Sequence, residues 1–154
     1  MAFLNSVNIV ASGLTAQQLR LDIVAENVTN SQTTRTEGGG AYRRKMVVFE
    51  AMDGRNDFRA ALARAVGGAV SNTASDVNDG GVRVAEIVED PSEFKLVFDP
   101  THPDANEAGY VELPNVDMVK EMTDAMAASQ AYSANVTAFN TLKSVISKGL
   151  EIGR

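Results

Sequence analysis

Residues 4–28 read LNSVNIVASGLTAQQLRLDIVAENV, and their spacing decides the fold. Leu4, Val7, Ala11, Leu14, Gln18, Leu21, Ala25 and Val28 recur at alternating intervals of three and four, with Gln18 the one polar member. Such a repeat lines residues along a single helical seam. The positions beside it hold Phe3, Asn8, Val10, Thr15, Gln17 and Val24, rather than the Glu and Lys that flank a two-stranded coiled coil. The apolar stripe is therefore wide, and the helix is expected to touch several neighbours. No charged side chain occurs from Met1 to Leu19, so this helix is not built to face water. Gly13 should mark a close helix approach or a bend, because glycine costs about 1 kcal/mol relative to alanine inside a helix. The helix should end between Asn27 and Asn30, where Asn tolerates a left-handed cap.

The other end repeats the pattern. Pro114 breaks the chain, Asn115 is placed to cap, and a helix is expected from about Val116 to Leu150. Its seam is Met118, Met122, Ala125, Ser129, Tyr132, Val136, Phe139, Lys143, Ile146 and Leu150. Val119, Met126, Ala128 and Leu142 stand beside that seam, and the far face is small, with Ala127, Ala131, Ala134, Ala138 and Thr141. Ala125 to Leu142 carries no charge. At about 1.5 Å per residue the helix would run some 50 Å, longer than a small domain is wide. Ser129, Gln130, Ser133, Asn135, Thr137 and Asn140 rule the stretch out as a membrane span. Both ends thus read as helices that bury most of their circumference against other helices, in other subunits. Alone, the two could bury only each other, so they are expected to be largely disordered until they join an assembly.

Between them the period changes. Ser31 to Ala41 is a loop rich in Thr and Ser that ends at Gly38-Gly39-Gly40; without a following Lys-Ser/Thr or a strand–loop–helix frame it is a turn, not a phosphate cradle. Tyr42 to Phe49 reads as a strand. Ala51 to Asp79 is dominated by Ala, Gly, Arg, Asn and Asp, with a short helix possible at 58–66. Val82 to Val88 and Phe94 to Phe98 read as strands joined into a hairpin by Asp90-Pro91-Ser92. A rigid loop, Asp99-Pro100-Thr101-His102-Pro103-Asp104, leads to a last short strand at Gly109 to Leu113. The expected class is α+β: terminal helices 1–30 and 116–154, paired antiparallel in a coiled-coil-like core, with a β-rich middle region 31–115 that includes a variable loop 53–81.

Bulk composition narrows the function. A net charge of −6 over 154 residues argues against nucleic acid as a partner, since phosphate binding needs clustered Lys and Arg. The one basic cluster, Arg43-Arg44-Lys45, suits a solvated face or local ion pairs. The absence of cysteine excludes disulfides, thiolate metal sites and a cysteine nucleophile. The opening residues lack Lys and Arg, and Asn5, Ser6 and Asn8 interrupt the apolar run, so no secretory signal is expected. His102 lies between Asp99 and Asp104, but no second ligand stands at a metal-binding spacing, and the loop reads as structural. No catalytic, cofactor-binding or metal-ligating set emerges, and the chain is expected not to be an enzyme. Two other readings remain: a monomeric enzyme or ligand-binding domain using the Asp99–Asp104 loop, and a self-contained soluble coiled-coil adaptor dimer.

Several runs resemble a known family. Asn5-Ser6-Val7-Asn8-Ile9-Val10-Ala11-Ser12-Gly13-Leu14-Thr15-Ala16-Gln17, followed by Leu21 to Asn30, is similar to the N-terminal signature of bacterial flagellar rod and hook proteins. Ala128-Ser129-Gln130-Ala131-Tyr132-Ser133-Ala134-Asn135-Val136, with Asn140, resembles that family's C-terminal helix. Thr33 to Thr36, Gly39 to Lys45, Phe98 to Ala105, Tyr110 to Val116 and the closing Gly149-Leu150-Glu151-Ile152-Gly153-Arg154 resemble its proximal-rod members. The likeness covers about four-fifths of the chain. Glu26 departs from the usual Asn and Thr29 from the usual Ala, while Asn27 and Asn30 are kept.

The resemblance implies a structural subunit of the flagellar basal-body rod, polymerising through its terminal helices into the proximal part of the torque-transmitting drive shaft. It implies export by the flagellar type III apparatus without a cleaved signal peptide, and a place in a helical tube crossing the periplasm. Copies of the chain and neighbouring rod proteins would be its partners. The seam residues Leu4, Val7, Ala11, Leu14, Leu21, Ala25, Val28, Met118, Met122, Ala125, Tyr132, Val136, Phe139, Ile146 and Leu150 are the expected subunit interface. Ser12, Gly13, Asn27 and Asn30 are the matched motif positions.

Overall fold

The computed structural model describes residues 2–52 and 80–152, with side chains from 5 to 52 and 80 to 151. The chain is α+β. Helix α1 spans Ala2–Thr29 and helix α2 spans Met118–Ile152; between them lie β1 (Lys45–Ala51), β2 (Val82–Glu89), β3 (Lys95–Phe98) and β4 (Tyr110–Leu113). The short helix expected at 58–66 falls outside the described residues.

The strands form two separate antiparallel pairs, β1 with β2 and β3 with β4. This corrects the hairpin expected across Asp90-Pro91-Ser92. The carbonyls of Asp90 and Ser92 are claimed by side chains, both of them accepting from Arg43 Nη1 and from Asn115 Nδ2. The turn is thereby fastened to the chain just before α2, and β3 is delivered to β4 rather than back onto β2. The β1–β2 ladder slips at Val48/Phe49, as a bulge does, and its open end is closed where the Met52 N–H donates to Gly81 O. That neck rests on α1: Ser12 Oγ accepts the Val82 N–H, and a Cβ on Gly81 would lie 2.8 Å from the same oxygen.

The helix ends differ from expectation in one respect each. At its C-terminus α1 uses no left-handed residue: every described non-glycine φ is negative, and the Asn30 side chain donates back to the Glu26 carbonyl instead. At the start of α2 the cap is Asp117, whose Oδ1 accepts the Val119 N–H. Asn115 is buried two residues earlier, its Oδ1 accepting the Arg44 N–H.

The two helices lie against each other. Gly13 is opposite Asn135, Arg20 pairs with Asp124, and Asn27 bonds Glu121, so the partner numbers fall as those on α1 rise. Gly13 marks the close approach its position suggested, with a built Cβ only 3.0 Å from Asn135 Nδ2. Among the described residues of the two helices, the buried apolar ones are Ala16, Ile23, Val24 and Ala128. Burying Ile23 and Val24 contributes about 2 kcal/mol each. This is a thin core for helices of 28 and 35 residues.

Candidate assembly interface

A buried polar junction sets how the helices meet the middle region. Glu121, on the first turn of α2, is fully buried and accepts from Arg44 Nε at 2.6 Å and from Asn27 Nδ2 at 3.1 Å. Asn27 is 1 % exposed and uses its whole amide: Nδ2 also donates to the Lys45 carbonyl, while Oδ1 accepts the Lys45 N–H and the Tyr42 hydroxyl. One side chain therefore continues the β1 backbone pairing into α1. Arg44 also reaches Asp90 Oδ2 at 3.4 Å. Lys45 pairs with Glu26, and Arg20 with Asp124. Among the motif residues, Asn27 is central here, Asn30 braces the loop by accepting Thr33 Oγ1, and Ser12 and Gly13 hold the β1–β2 neck and α2.

The electrostatics follow from this packing. Burial of Arg44 on its own would lower its pKa, but Glu121 and then Asp90 together hold it above the ordinary guanidinium value. Burial, helped by Glu26 and Glu121, pushes the Tyr42 hydroxyl up to about 12. The Ser92 backbone and side chain, with Arg44, hold Asp90 below its usual range. His102 Nδ1 accepts the Asp104 N–H within its own loop, and Asp104 also accepts from Thr34. Among the described residues no group of three His, Cys, Asp or Glu could hold a metal ion, and no helix is long and apolar enough to cross a membrane.

In the single chain the seam residues with described side chains are exposed or half-buried. On α1, Ala11 and Ala25 are exposed, and Val7, Leu14, Leu21 and Val28 are half-buried; the Leu4 side chain lies outside the described set. On α2, Met118, Met122, Phe139 and Leu150 are exposed, and Ala125, Tyr132, Val136 and Ile146 are half-buried. The helices meet at Gly13 with Asn135, Arg20 with Asp124 and Asn27 with Glu121, and Ala16, Ile23 and Ala128 at the same helical spacing are buried. Spacing missed this ladder because its members are small or polar. The isolated charges Arg20, Glu121 and Asp124, set three and four apart from small residues, were the available signal.

Residues 107–152 match the family described as "Flagellar basal body rod FlgEFG protein C-terminal". The chain is 44 % identical, over the whole of both chains, to the flagellar basal-body rod protein FlgC of Bacillus subtilis. It is 40 % identical to the protein of that name from Borreliella burgdorferi, covering 99 % of this chain and 98 % of the other. The FlgC protein of Escherichia coli O6:H1 is 39 % identical over the full length of both. The chain belongs to the FlgC family of flagellar basal-body rod proteins. FlgC membership bears out the family resemblance and favours a structural rod subunit over the adaptor dimer.

Proposed function

We propose that this FlgC-family chain enters the rod through the outward faces of its two terminal helices. In this reading residues 1–30 and 116–154 pair antiparallel as a coiled-coil-like core, and the middle region 31–115 sits outside it. The observation that carries the reading is the separation of faces: one ladder joins α1 to α2, leaving Ala11, Ala25, Met118, Met122, Phe139 and Leu150 exposed. Exposed apolar side chains along both helices, interrupted on α2 by Lys143, are costly in water and gain from being covered by a partner. Association removes it from water and offsets the entropy of ordering the helices. Uncharged flanks also spare a dense helix array the desolvation of buried charge.

The partners are other copies and neighbouring rod proteins, in the proximal part of a shaft that transmits torque across the periplasm. Export is by the flagellar type III apparatus without a cleaved signal, and the role is structural rather than catalytic. The test is Leu14→Asp and Phe139→Asp. Each should remove the chain from isolated basal bodies and abolish swimming while its export stays measurable. Retained motility in both variants sinks the reading.

A further inference from the structure

We propose that the β3–β4 hairpin of one copy receives the far end of α2 from a second copy, in a head-to-tail contact between unlike surfaces; this rests on the rod reading above. The register Leu96↔Glu112 and Phe98↔Tyr110 puts these four residues on one face of the hairpin. Leu96 and Phe98 are each 63 % exposed and Tyr110 is 43 % exposed. The Phe98 and Tyr110 rings meet edge to face at 5.3 Å, and a Cβ at Gly109 would stand 2.9 Å from Phe98 Cε2, so the aromatic pair is fixed rather than loose. The opposite face is partly covered: Val111 is 3 % exposed and Lys95 Nζ donates to the Val116 carbonyl, while Val97 stays exposed. An outward aromatic face on a two-stranded pair, which is marginal alone, gains most from being covered.

Charge indicates what covers it. In the described residues from 80 to 115 the two cations are engaged, Arg83 with Glu50 and Lys95 with Val116 O. Glu112, on the aromatic face, and Glu107, in the loop before β4, have no ion pair among the described residues. A fitting partner is apolar with a cation. The far end of α2 has that composition: Phe139, Lys143, Ile146 and Leu150 share a helical face, Leu150 is 71 % exposed, and Lys143 has no ion pair among the described residues. None of the described residues after Ala128 on α2 is buried.

The same copy cannot supply both halves. The hairpin is fastened at the start of α2 through Lys95 and Val116, and Leu150 lies about 48 Å along the helix from Met118. A contact between two unlike surfaces is either returned in a two-fold pair or repeated from copy to copy; repeated, it propagates into a ring or an open helix, the geometry the rod reading calls for.

Charge exchange tests it. Glu112→Lys and Lys143→Glu, each replacing the native chain in a flagellated host, should lower its amount in isolated basal bodies about fivefold, and the double variant should recover most of that loss. Undiminished single variants, or a double variant no better than the worse single, overturn the contact. Because the chain has no cysteine, a Leu96→Cys/Leu150→Cys variant carries the only thiols in its copies. Oxidising those basal bodies should give a ladder of multimers of this chain. No cross-link, a product that stops at the dimer, or a cross-link exclusively to a different rod protein overturns the proposal. Absence of the unmodified chain from basal bodies would instead overturn the rod reading itself.

Discussion

Glu121 is where the molecule concentrates its polar chemistry. A carboxylate with no solvent exposure is tolerated only when its lone pairs are filled, and here Arg44 and Asn27 fill them. Glu121→Ala leaves the Arg44 guanidinium with Asp90 at 3.4 Å and the Asn27 amide short of one acceptor. The expected cost is about 3 kcal/mol, and Glu121→Gln, which keeps the shape and an acceptor, should cost about half of that. A fall in the urea midpoint at unchanged slope measures both. Tyr42 adds a pH signature to the same junction. Its folded pKa of about 12 stands above the ordinary 10.0, so its contribution is complete below pH 10.0 and is lost as pH rises through 12. Wild type should therefore lose stability across that alkaline window, and Tyr42→Phe should lose less there. Equal alkaline loss in both proteins would mean that the hydroxyl is not the group responsible.

The elements show which parts of the fold were written locally. Both helices were legible because a three-four repeat is a property of neighbouring residues, and the turn at Gly38-Gly39-Gly40 was legible for the same reason, Gly39 and Gly40 each taking φ +82°. Strand partners were not, because pairing is decided by distant groups. Asn115 and Arg43 hold the Asp90–Ser92 turn from positions 23 to 49 residues away, and no local pattern announces it. The intrachain helix contact was hidden for another reason: each helix carries two ladders of the same spacing, and the apolar one drew the reading. Gly13 belongs to the quieter ladder. Gly13→Ala gains helix propensity while its new Cβ presses the mobile end of Asn135 at 3.0 Å, so the two effects should nearly cancel. Gly13→Leu has no such room and should destabilise by about 2 kcal/mol by forcing the helices apart. Loss of helical circular dichroism at lower urea in the Leu variant, with the Ala variant near wild type, is the expected pair of results.

At the scale of the whole molecule, the distribution of burial along the helices predicts how folding is divided between monomer and assembly. Among the described residues, every buried one of α1 lies between Ala16 and Asn27, and every one of α2 between Glu121 and Ala128. The ion pairs that tie the helices to each other and to β1 fall in the same stretches. Beyond Val136, α2 continues for some four turns with no buried residue among those described, and Val145 and Leu150 stand 57 % and 71 % exposed. A helix is cooperative but frays where tertiary contacts stop. Amide exchange on the purified chain should therefore be slow over residues 20–28 and 119–128 and fast over 137–152. The same amides of 137–152 should become protected in isolated basal bodies, since contacts within the chain leave no described residue there buried. Uniform protection of α2 in the free chain would mean that the helix needs no partner, and the soluble adaptor would regain ground. Protection that stays low in the basal body would place the far end of α2 outside the packed core and remove the length argument for a second copy.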